Sequence, residues 1–88
     1  MKLDYELKFT EAALKMMDDR MILKDDVIAV MNDLRQTGEA ILDSETGLLI
    51  ARSRLGNATF WVKFTREGDS SYLVHGAYSH RMNVIRRQ

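Results

Sequence analysis

The chain predicts a small α+β domain in the order β-α-α-β-β-β-β, with two helices packed on one face of a mostly antiparallel sheet. Three observations carry this reading. Lys2 to Phe9 alternates strictly between polar and apolar residues, the pattern of a half-buried strand. Two stretches that follow it repeat apolar residues at helical spacing. Gly56-Asn57 then divides two runs rich in β-branched and aromatic residues, the mark of a hairpin with Gly at the first loop position.

The opening strand puts Leu3, Tyr5, Leu7 and Phe9 on one side and Lys2, Asp4, Glu6 and Lys8 on the other. Thr10 reads as the N-cap of a helix running to about Arg20, with Glu11 favourable in its first turn. The apolar face of that helix is Ala13, Met16, Met17 and Met21, with Leu14 flanking. A second helix, about Asp25 to Arg35, starts on two aspartates that suit the positive end of the dipole. Its buried stripe is Val27, Val30, Met31 and Leu34, and Gly38 stops it. The methionines read as core filler against the sheet rather than as an adaptable groove.

Glu39 to Asp43 reads as a short strand, and Ser44 to Gly47 as a turn in which Gly47 takes a positive φ. The two-residue loop at Gly56-Asn57 sets a register. Leu55, Ser53, Ala51 and Leu49 face Ala58, Phe60, Val62 and Phe64 on one side. Arg54, Arg52 and Ile50 face Thr59, Trp61 and Lys63 on the other. An apolar face is thereby separated from a basic face that carries the one Trp. The next turn spans Glu67 to Ser71, and the last strand Tyr72 to His80. If that turn takes five residues, Tyr72, Val74 and Tyr78 are in the core and His75 joins the basic face. If it takes four, Leu73, His75 and Ala77 are buried instead. The first choice buries more aromatic surface and is preferred.

The 88 residues suit one domain, with 82–88 as a basic tail. Cysteine is absent, which removes disulfides, thiolate metal sites and a Cys nucleophile. The opening MKLDYELK has no apolar signal core and no stretch is long enough to span a bilayer, so a cytoplasmic location is expected. Net charge is zero but unevenly spread. Residues 1–45 carry 6 Lys/Arg and 11 Asp/Glu, whereas residues 46–88 carry 7 and 2. A basic sheet half beside an acidic helical half points to an anionic partner for the sheet, or to self-association of one half with the other. The neutral total counts against a strongly basic nucleic-acid binder.

Candidate binding residues are Arg52, Arg54, Trp61 and Lys63, because guanidinium and ammonium groups beside an indole hold anions and stack on bases. The plainer alternative for Arg52 is a cross-strand cation–π pair that covers Trp61. His75 is the candidate catalytic residue, as a proton donor or acceptor beside a phosphodiester. The plainer alternative is a hydrogen-bonded structural histidine. His80, Arg81, Arg86 and Arg87 form a second candidate anion patch. His75 and His80 differ by an odd number and fall on opposite faces of a regular strand, so no metal site is expected unless Gly76 marks a bulge. Asp18-Asp19 and Asp25-Asp26 read as solvated acids near helix ends rather than cation ligands. Phosphate-loop, dinucleotide, nucleophile-elbow, zinc-protease and EF-hand motifs are all missing, and no cofactor is expected.

The segments FTEAALKMMDDRMILKDDVIAVM, AILDSETGLLIARSRLGNATFWVKF and YLVHGAY, taken in this order, resemble a bacterial domain family akin to the RelE- and BrnT-type toxins. The resemblance rests on Thr10, Ala13-Leu14-Lys15-Met16, Arg20, Ile22 and Asp26-Val27, which are mainly capping and packing positions. It implies a toxin-like fold. Because such toxins cleave RNA on the open sheet face, it also implies roles for Arg52, Arg54, Lys63 and His75.

The expected function is therefore a small non-catalytic binding module, or an accessory subunit of a larger protein or enzyme complex. It would bind a protein partner through the basic, aromatic sheet face. The alternatives are a toxin-like ribonuclease and a regulator that binds nucleic acid without cutting it.

Overall fold

A computed structural model describes residues 4–81. The expected strand from Lys2 and the basic tail over 82–88 fall wholly or partly outside those residues. Seven elements follow in the expected order: β1 (Glu6–Phe9), α1 (Glu11–Asp19), α2 (Lys24–Thr37), β2 (Ile41–Leu42), β3 (Leu49–Leu55), β4 (Ala58–Gly68) and β5 (Ser71–Arg81). The class is α+β. The strands form one mixed sheet of order β1-β5-β4-β3-β2, parallel between β1 and β5 and antiparallel elsewhere.

α1 begins where Thr10 caps it, the hydroxyl accepting from the Ala13 N–H at 3.0 Å. Ala13 and Met17 are buried and Met16 is half-buried, as the stripe requires. Met21 departs from expectation. The helix stops at Asp19, and Met21 takes a left-handed backbone (φ 57°) that points it outward, 87% exposed. Ile22 fills the core in its place. Thr10→Ala removes one orphan N–H acceptor and is expected to cost about 1 kcal/mol, read as a lower urea midpoint with an unchanged slope.

α2 starts at Lys24, where the Asp26 carboxylate reaches back to the Leu23 N–H at 3.0 Å. Val27, Val30, Met31 and Leu34 are all buried. Gly38 ends the helix at φ 71°, where its N–H bonds the Leu34 carbonyl. Both helices lie on the sheet face that carries Ala51, Val62, Phe64, Val74 and Ala77. Tyr72 and Tyr5 close one end of this core. Each lies edge-on to a neighbour, Tyr72 to Phe64 at 5.6 Å and Tyr5 to Tyr72 at 5.7 Å. The Arg35 guanidinium sits over Tyr5 and donates to the Tyr72 hydroxyl at 3.0 Å. Burial raises the Tyr5 pKa, and the Arg35 charge pulls the other way.

The β3–β4 register is the expected one at all seven pairs, from Leu49↔Phe64 to Leu55↔Ala58. Gly56 has φ 65° and Asn57 does not take a positive φ, which is the pattern of a type II′ loop. The strand expected over Glu39–Asp43 is shorter. Only Ile41 and Leu42 pair with β3, and both side chains are exposed.

β5 brings the main correction. The expected five-residue turn is a two-residue loop, Asp69-Ser70, because β4 continues to Gly68 and Glu67 is an extra residue between Arg66↔Tyr72 and Gly68↔Ser71. A second irregularity follows. Phe64 pairs with Val74 but Lys63 pairs with Gly76, which leaves His75 as the extra residue. Tyr72 and Val74 are buried as expected. Past the bulge the alternation changes phase, so Ala77 is buried and Tyr78 moves to the opposite face. Gly76 permits this geometry beneath α1, since a Cβ there would meet the Met16 sulfur at 3.3 Å.

Candidate functional site: the open sheet face

The face away from the helices is built in rows by the register. Arg54, Thr59 and His80 form one row, and Arg52, Trp61 and Tyr78 the next. Ile50 and Lys63 come third, beside the bulge at His75. Arg52, Arg54, Trp61, Lys63 and His75 thus share one surface, as the sequence implied. Arg81 ends β5 opposite Ala58, and its side chain falls outside the described set. Arg86 and Arg87 lie outside the described residues.

Trp61 does not pair with Arg52 through its ring. Its ring stacks on Tyr78, with centroids 5.2 Å apart and planes at 16°. The Lys63 ammonium lies over the Tyr78 ring at 5.8 Å. The cation–π contact expected for Arg52 is therefore replaced by one between Lys63 and Tyr78. The bulge is the cause, because it turns Tyr78 onto this face beside its cross-strand partner Trp61.

The same bulge brings both histidines to this face, which strict alternation had denied. They remain far apart, since five residues of strand separate them by about 16 Å. No cluster of three His, Asp or Glu side chains suited to a metal occurs among the described residues. His75 Nε2 lies 3.0 Å from the Thr65 hydroxyl, the arrangement of a hydrogen-bonded structural histidine.

The charge on this face is unbalanced. Among the described residues the one ion pair is Lys8–Glu6, at 3.6 Å, so no carboxylate lies within pairing distance of Arg52, Arg54 or Lys63. Asp43 is one acidic residue that feels the Lys63 charge. Its carboxyl is held below the ordinary aspartate range first by the Glu45 N–H, then by Thr46, with the Lys63 charge adding less.

Tyr78 and His80 belong to this surface and were not assigned to it from the sequence, whereas Thr59 stands opposite Arg54 as expected. The signal available was Gly76, a glycine inside a strand, which marks a bulge or a close approach.

A groove of about 830 Å³ runs along the β3 side of this face. Arg52, Arg54, Trp61 and His80 line it from the open face, and Asp33, Thr37 and Glu39 complete its walls.

Among the described residues no helix is long and apolar enough to cross a membrane. No family model, curated protein or solved structure matches the chain.

Proposed function

We propose that this chain is a cytoplasmic, non-catalytic binding module, an accessory subunit that engages an acidic protein partner through its open sheet face. The observation that carries the reading is three cations, Arg52, Arg54 and Lys63, gathered around a stacked Trp61–Tyr78 pair with no carboxylate in pairing distance among the described residues. Solvent-accessible cations of this kind steer an anionic surface onto the face and set its orientation. The aromatic pair adds rigid contact area at low entropic cost. The zero net charge favours a protein over a polynucleotide, whose binders carry a positive excess.

A second reading is a toxin-like ribonuclease on the same face, with the RelE/BrnT-like arrangement that the resemblance implies. What favours it is His75 on the surface that holds the cations. The engagement of its Nε2 by Thr65 instead suits a structural role.

Trp61 is the one tryptophan, so its fluorescence reports the face directly. Titration with poly-glutamate is expected to shift its emission saturably, with an affinity that falls as salt rises. A single-stranded RNA of matched charge is expected to bind more weakly. Emission unmoved by poly-glutamate would overturn the reading. Tighter binding of the RNA would replace it with a nucleic-acid regulator. Cleavage of that RNA, abolished by His75→Ala, would replace it with a ribonuclease.

A further inference from the structure

We infer that the outer edge of β3, from Ala51 to Leu55, is a strand-addition site for an extended acidic segment of a partner protein. This rests on the binding-module reading and names how, and where, the partner is held.

β2 pairs with β3 only at Leu49 and Ile50. Past Ile50 no described backbone group pairs with that side of the strand. The hairpin geometry fixes what the edge offers. Residues flanking a two-residue loop exchange both backbone hydrogen bonds, so Leu55, Ser53 and Ala51 spend theirs on β4. The N–H and C=O groups of Arg52 and Arg54 therefore point outward, with the spacing a further strand requires. Neighbouring strands lie about 4.8 Å apart, and the groove beside this edge gives such a strand room.

Charge selects the occupant. Side chains of an added strand that lie opposite Arg52 and Arg54 share the open face with them, and opposite charges there are favourable. A second copy of this chain is the wrong occupant. Antiparallel pairing about Ser53 sets Arg52 against Arg54 of the other copy, twice, and puts four guanidinium groups together. Like charges in register are destabilising, and charged edges are a common guard against self-pairing. Away from the arginines the groove is lined by Thr37, Glu39 and Asp33, and the Asp33 carboxylate accepts from the Ser53 hydroxyl. Acidic side chains are repelled there. The partner segment is thus acidic at alternate positions and small, apolar or basic between them. β5 also has an outer edge past Val74 that no described residue pairs, but the two arginines are on β3 and the groove runs beside its edge.

The probe is a synthetic peptide of about eight residues, alternating Glu with Val or Thr, added to the whole protein. Binding is followed by Trp61 emission, and amide hydrogen exchange is read residue by residue. The expected result is at least about tenfold slower exchange at the Arg52 and Arg54 amides. The expected affinity loss is also at least about tenfold when alternate peptide nitrogens are methylated on the side facing β3, or when Lys replaces Glu. The inference is overturned if the peptide binds but those amides stay unprotected and methylation has no effect. In that case the face reading stands and only the edge mode fails. Failure of both this peptide and poly-glutamate removes the binding-module reading itself.

Discussion

Phe64→Ala is expected to remove about 3–5 kcal/mol of stability, a large part of the roughly 5–15 kcal/mol available to a domain of this kind. Phe64 is fully buried and is the largest of the residues that are. It stands at the centre of β4, where it pairs with Leu49 of β3 and Val74 of β5 and meets the edge of Tyr72. Truncation leaves a cavity walled by rigid strands on both sides, which limits how far the site can collapse. Phe60 is the control. It points to the same side but is only partly buried, near the loop end of the hairpin. Phe60→Ala is expected to cost no more than about half as much. Urea denaturation checks both variants. A Phe64 midpoint shift no larger than that of Phe60 would mean the core is not centred on β4.

The legible parts of this fold are those fixed by local chemistry. The β3–β4 register follows from one two-residue loop and the alternation on either side of it, so Arg52 and Trp61 were bound to share a face. The α2 stripe follows from four residues at helical spacing and a glycine stop. The parts that were not legible depend on contacts distant in sequence. Met21 continues the α1 pattern, but the chain leaves the helix at Asp19 to let Ile22 enter the core. Tyr78 looks like a core residue by count, because the phase of β5 changes at His75. Gly76 two residues earlier marks the place, but the reason for a glycine there is the closeness of Met16 from α1, which no window of sequence around Tyr78 contains. The length of β2 depends on how much of β3 it reaches, again a tertiary matter. The open face was therefore legible on β3 and β4 and only half legible on β5. Tyr78, which completes its aromatic pair, and its second histidine come from β5, the strand whose phase the local pattern does not fix.

The double charge reversal Arg52→Glu with Arg54→Glu is expected to weaken poly-glutamate binding by at least about a hundredfold, roughly 2.7 kcal/mol. Both side chains are exposed and have no pairing carboxylate among the described residues, so the variant should keep the fold and its urea midpoint. The backbone of the β3 edge is untouched, which gives the variant a second use. If the arginines are what prevent self-pairing, the reversed edge complements the unaltered one. Antiparallel pairing about Ser53 would then set each Glu against an Arg. Equal mixtures of variant and unaltered chain are expected to form a one-to-one heterodimer in sedimentation, while each alone stays monomeric at this edge. The heterodimer should dissociate as salt rises and should protect the amides at positions 52 and 54 in both chains. Loss of poly-glutamate binding without any heterodimer would assign the arginines to the face alone. Binding that survives the reversal would remove them from the site and leave Lys63 with the Trp61–Tyr78 pair as its remaining basis.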